Sequence, residues 1–130
     1  MKTKKPNIAQ MMKEAKKSKN ADKCGMFLLH NGVVRIDAKA KVRENKKNTK
    51  KVKAIDFSYD NKKVDIAIKK ALKMKGIYYI KVWLNEGLLK VGDDIMLVLI
   101  GGDIRPRVVD CLQELVGEIK SKCVVEREIV

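Results

Sequence analysis

The sequence predicts a single α+β domain built on a mixed or antiparallel sheet, and three observations carry that reading. Two stretches repeat apolar residues with the period of a helix. Several others are short, β-branched or aromatic runs bounded by Gly, Asn or Asp. Strands and helices succeed one another as ββ, β, α, ββ, α, β, which is not the regular alternation of a parallel α/β sheet. Length and composition agree with one domain: 130 residues, 45% apolar and 35% charged. A chain of that size hides roughly two thirds of its unfolded surface, enough to fold without covalent staples.

Residues Met1 to Asn20 are Lys-rich, with Ile8, Met11, Met12 and Ala15 at helical spacing after Pro6. This gives a short amphipathic helix in a basic extension, residues 1–21, with too few apolar side chains to anchor firmly. Cys24 to Ile36 reads as two short strands joined or bulged at Asn31-Gly32, a strong local turn signal. Residues 39–53 carry eight basic side chains and little apolar content, and are expected to form a mobile loop. Val52 to Tyr59 alternates apolar and polar positions as a half-buried strand does, and Asp60 or Asn61 can cap a helix directly after it. From Asn61 to Lys75, Val64, Ala67, Ile68, Ala71 and Leu72 share one helical face, and Gly76 supplies the stop. Ile77 to Leu84 and Asp94 to Ile100 are β-rich, with a loop expected at Asn85 to Asp93. Pro106 suits the first turn of a second helix, striped by Val108, Val109, Leu112, Leu115, Val116 and Ile119 and ending near Lys120 or Lys122. Cys123 to Val130 closes the chain as a strand.

Charge and residue usage then exclude several kinds of chemistry. Cys24, Cys111 and Cys123 are odd in number and far apart, so neither a disulfide framework nor a zinc knuckle is expected, and a reducing cytoplasm is the simplest location. The longest apolar run, Ile95 to Ile100, is far short of the ~20 residues of a membrane span. The Lys-rich start lacks the apolar block of a signal peptide. His30 is the only histidine, which leaves little for a zinc site or a Ser/His/Asp triad. No GxxxxGK[ST] or GxGxxG is present, and no metal or resident cofactor is expected. Tyr78, Tyr79 and Trp83 fit sheet packing better than a base-stacking platform.

What remains is chemistry done by cations. The formal charge is +14, of which residues 1–53 contribute +13. Such a surface attracts phosphate-bearing small molecules, nucleic acids and acidic proteins alike. Lys120 and Lys122 end the second helix, Arg105 and Arg107 begin it, and Arg127 lies on the last strand. If the fold brings these together with Arg35 they form an anion pocket, in which a lysine crowded by cations has a lowered pKa. The alternative is that helix-end lysines only complement the helix dipole.

Five motifs in order add a resemblance. Cys24-Gly25-Met26, then Gly32 to Arg35, then Gly87, Leu89, Gly92 and Asp93, then Ile104-Arg105 opening the long helix, then Ile119-Lys120 at its end and Val125 to Glu128 beyond, resemble the large, catalytic subunit of molybdopterin synthase over residues 22–130. The resemblance implies an α/β hammerhead domain that forms a homodimer within a heterotetramer, bound to a ubiquitin-like small subunit with a thiocarboxylated Gly-Gly tail. It implies sulfur transfer from that tail to cyclic pyranopterin monophosphate, making the dithiolene of molybdopterin. Carried over by position, Lys120 matches the catalytic lysine, Arg35 and Arg105 match anion-holding arginines, and Val33 and Val34 match the segment lining the substrate. Lys122 and Arg127 are expected to assist in holding phosphate or the tail. The chain departs from the family pattern at Ile104, at Leu84 and Asn85, near Ser58, and at Glu126 or Arg127, where a second lysine would fall. A non-catalytic homologue and, further off, a basic nucleic-acid-binding module are the competing expectations.

Overall fold

A computed structural model describes residues 4–43 and 50–130. Asn7 caps the first helix, α1 (Ile8–Lys16), by accepting from the Gln10 amide at 3.0 Å. Strand β1 is Met26–Val33, followed by a short helix α2 at Lys39–Arg43 and strand β2 at Ala54–Tyr59. Helix α3 spans Asn61–Leu72 and is capped by Asp60, whose Oδ1 accepts from the amides of Lys62 and Lys63. It runs out before Gly76, which takes φ +79°, a conformation that favours glycine. Strands β3 (Ile77–Leu84), β4 (Gly87–Lys90) and β5 (Asp94–Gly102) lead into helix α4 (Arg105–Glu118), with Pro106 in its first turn. A π-helical turn, Ile119–Cys123, joins α4 to strand β6 (Val124–Ile129).

The strands form two three-stranded sheets, ordered β1-β5-β3 and β4-β2-β6, and every pairing is antiparallel. The α+β class is therefore what the chain forms. Strand β5 is central in the first sheet and buried along Ile95 to Gly102, because both of its faces are covered. On one face Met96, Val98 and Ile100 join Val64, Ala67 and Ala71 of α3 and Val108, Cys111 and Leu115 of α4. On the other, Leu97 and Leu99 meet Trp83 and the Met11 and Ala15 of α1. A strand dressed on both sides reads as a continuous apolar run, which is how Asp94 to Ile100 reads.

Four expectations change. Residues 26–33 form one strand, not two, and of the two forms expected at Asn31-Gly32 the hairpin turn is absent and the bulge is present: Asn31 pairs with Leu97 in the ladder, and the register shifts at Gly32/Val33. The Asn31 amide is held by the Asp94 carboxylate at 3.0 Å, a long-range partner that competes with any local turn. The expected loop at Asn85 to Asp93 contains β4, which pairs with β2. The amino-terminal helix is anchored after all: Met11 and Ala15 are fully buried, and Lys5 Nζ lies 2.7 Å from Asp94 Oδ2. Finally, the basic loop expected at 39–53 begins as α2 and ends with Val52 buried and its amide bonded to the Ile36 carbonyl at 2.8 Å. Residues 44–49 of that expectation lie outside the described residues. No helix among the described residues is long and apolar enough to cross a membrane.

Candidate active site

Where the two sheets and the end of α4 meet, a cavity of about 410 Å³ opens. Its walls are the end of β1 (Gly32, Val33), Arg35 beyond it, Lys39 and Arg43 of α2, Ile55 and Phe57 of β2, Ile95 and Met96 of β5, Lys120 of the π turn, and Glu126 to Glu128 of β6. The apolar side is floor and the charged side is rim. Ile55, Phe57, Ile95 and Met96 are core residues of the same cluster that supports α4 or its sheet neighbours.

Helix geometry explains why one of the two helix-end lysines reaches this cavity and the other does not. Ile119 and Cys123 are buried and fix the turn against the core. Residues two apart on a helix do not share a face. Lys120 therefore enters the cavity, while Lys122 stands on the other side, in a groove between α3 and α4, with Nζ 3.6 Å from Glu118 Oε1.

Electrostatics single out Lys120 within the cavity. The residue is exposed to the opening, yet partial burial holds its pKa below the ordinary lysine value. The cations Arg43, Lys39 and Arg35 push the same way and only Glu126 opposes them. Among the described residues Arg35, Arg43 and Lys120 form no ion pair, whereas Lys39 is engaged: its Nζ lies 3.3 Å from Glu126 Oε2 and its amide donates to Glu128 Oε2 at 2.8 Å. Two carboxylates are thus drawn to Lys39, and three other cations are left facing the opening. Such an arrangement accepts an anion.

The remaining residues expected from the sequence divide cleanly. Val33 lines the cavity, half exposed, and Val34 lies buried behind it, its backbone tied to Asp93 and Gly92. Arg127 borders the cavity, but the register sets it opposite Asp56, and its Nη2 pairs with that carboxylate at 3.5 Å. Arg105 begins α4, exposed, fifteen residues from Lys120 and so roughly 22 Å away along the helix. One chain does not bring Arg105 or Lys122 into this cavity. Lys39, Arg43 and Glu126 complete the site instead. The first two belong to the stretch whose composition suggested a loop, and their basic character was the available signal. Among the described residues no group of three or more His, Cys, Asp or Glu could hold a metal ion.

Fold and cavity together define an α+β domain with a small, cation-rimmed pocket suited to an anionic ligand. The chain belongs to the MoaE protein family, whose model matches residues 1–122. Among solved structures, it is similar to the MoaE protein of Burkholderia ambifaria, with a TM-score of 0.71 and 15% identity over 98% of this chain and 84% of that one. It is similar also to molybdopterin synthase from Staphylococcus aureus, with a TM-score of 0.67 and 17% identity over 83% and 76%. A complex of subunits 1 and 2 of molybdopterin-converting factor from Helicobacter pylori gives 0.66 and 15% over 96% and 80%. No curated protein matches the sequence.

Proposed function

We propose that this protein is the catalytic subunit of a molybdopterin synthase, moving sulfur from a thiocarboxylated, ubiquitin-like small subunit onto cyclic pyranopterin monophosphate. Membership of the MoaE family supports the broader role in molybdopterin biosynthesis. The observation that carries the finer reading is the convergence of Arg35, Arg43 and Lys120, none in an ion pair among the described residues, on one cavity of about 410 Å³. That volume lies within the range of small-molecule sites.

In this reading Lys120 is the catalytic group. Its lowered pKa leaves more free amine at neutral pH than an ordinary lysine has, and so more capacity to accept and return a proton. Arg35 and Arg43 hold the phosphate or the carboxyl end of the tail. Ile55, Phe57, Ile95 and Met96 exclude water from one side, which strengthens every charge interaction with a developing oxyanion. Val33 lines the substrate and Val34 holds that segment in place. Arg127 assists from the rim if it releases Asp56. Arg105 can serve such a pocket only from a second copy of the chain, which the proposed homodimer would supply. Lys122 stays with Glu118. The tail of the small subunit enters through the open side of the cavity, and the complex from Helicobacter pylori, a fold relative, supports a partner of that kind. Three free cysteines suit a reducing cytoplasm.

Glu126 favours a second reading, a non-catalytic homologue, since a carboxylate beside Lys120 opposes the lowering of its pKa. A reconstituted reaction separates the two. Protein, thiocarboxylated small subunit and cyclic pyranopterin monophosphate are mixed and the dithiolene is read as its oxidised fluorescent derivative. Product is expected. No product, with the small subunit still bound, would establish the second reading.

A further inference from the structure

The proposed reaction makes no use of His30, the single histidine of the chain. It lies on β1 opposite Val98 of β5. Alternation sets Met26, Leu28, His30 and Gly32 on one face of the strand. Met26 and Leu28 pack into the larger core, and Gly32 lines the cavity. His30 therefore stands at the point where core gives way to cavity. A Cβ built on Gly32 would lie 3.7 Å from His30 Nε2, so the ring extends along the strand toward the cavity end. That Nε2 is buried and has no hydrogen-bond partner among the described residues. A dry, unpaired ring nitrogen is costly, and an apolar side chain would fill the same place without that cost.

Burial, and then the charge of Lys120, hold the pKa of this imidazole below the ordinary histidine value. A neutral imidazole has one N–H and one lone pair. Lys120 carries its ammonium on a flexible stem that can turn toward an acceptor. Around it stand Glu126 from β6, Lys39 and Arg43 from α2, and Arg35 beyond β1. A carboxylate in the position of His30 would pair with the ammonium and cancel the charge offered to an anion. A neutral acceptor holds the ammonium without neutralising it.

We propose that His30 is a positioning residue for Lys120, its bare Nε2 accepting a hydrogen bond from the Lys120 ammonium at the inner end of the cavity. The inference deepens the proposed function and rests on Lys120 acting in that cavity. It specifies a tautomer, with the proton on Nδ1, and a direct coupling between the two side chains.

Nitrogen-15 NMR of the full chain tests it without any reaction, because one histidine gives one pair of ring nitrogens. The expected spectrum at neutral pH shows a protonated Nδ1 and a bare Nε2. The expected titration of His30 moves up toward the ordinary histidine value in Lys120→Met and stays low in Lys120→Arg, which retains the cation. A protonated Nε2 at neutral pH, or identical titrations in the wild type and Lys120→Met, would overturn the proposal. In the reconstituted reaction, His30→Phe should lower kcat about tenfold, the smaller end of what losing a hydrogen bond to a charged group costs. His30→Gln, which keeps an acceptor, should restore most of it, with KM for the small subunit unchanged in both. Equal rates in the two variants would count against the proposal. Should the wild type show no turnover, the function fails while the NMR result still decides the role of His30.

Discussion

Lys120 and Lys122 leave the same π turn on opposite sides: Lys120 enters the cation-rimmed cavity, and Lys122 lies against Glu118 in the groove beside α3. Two lysines that look equivalent in sequence therefore have different chemistry. One sits among Arg35, Lys39 and Arg43 with a lowered pKa, and the other completes a surface ion pair of the kind worth about 0–1 kcal/mol.

Removing residues 1–20 should lower the melting temperature markedly, because Met11 and Ala15 are buried against Trp83, Leu97 and Leu99. Met11→Ala alone should cost about 2–5 kcal/mol, as large-to-small changes in a packed core do. Chemical denaturation of the variant beside the full chain checks both. The expectation of a loosely held extension counted apolar residues, and it was their placement on one face, opposite a sheet already covered on its other side, that mattered.

Most of the fold was legible in this way. The capping Asp60, the helical stripe of α3, Pro106 and the buried run of β5 each carry their structure in a local signal. What was not legible depends on partners far away in sequence. Asn31-Gly32 reads as a turn until Asp94, sixty-three residues on, takes the Asn31 amide. Lys39 reads as loop until Glu126 and Glu128 bind it. Arg35, Val33 and Lys120, expected together from the sequence, do meet in one cavity, whereas the separation of Lys122 from Lys120 required only the two-residue offset along a helix.

Gly76→Ala should destabilise the protein by more than about 1 kcal/mol, the usual cost of a side chain where φ is positive. A Cβ there would also overlap the Asp103 carboxylate, which accepts from the Ile104 amide at 2.7 Å at the start of α4. The equilibrium unfolding midpoint measures the loss, and Gly117→Ala, whose Cβ would meet nothing within 4 Å, is the control expected to be neutral or stabilising.

Thiol labelling under native conditions should be selective. Cys111 is buried and its pKa is pushed up to about 11, chiefly by desolvation, so it should resist alkylation at neutral pH until the chain unfolds. Cys24 is only partly buried and should label first, although burial and Asp22 raise its pKa as well. Mass spectrometry of the alkylated peptides gives the order.

Stability should fall as the pH is lowered from 7 through the histidine range. Burial, then Lys120, lowers the pKa of folded His30 below the unfolded value of 6.5. The unfolded chain therefore binds a proton first, and stability is lost from near pH 6.5 down to the lower folded pKa. With no other histidine present, His30→Gln should flatten the slope in that window. Urea denaturation at a series of pH values tests the sign.

The most direct measurement sets Lys120→Ala and Lys122→Ala beside the wild type in the reconstituted sulfur-transfer reaction. The wild type and Lys122→Ala are expected to form the dithiolene at similar rates, while Lys120→Ala forms none and still binds the small subunit. Turnover by Lys120→Ala at the wild-type rate, or equal loss in both variants, would contradict the assignment of the cavity around Lys120 as the catalytic centre.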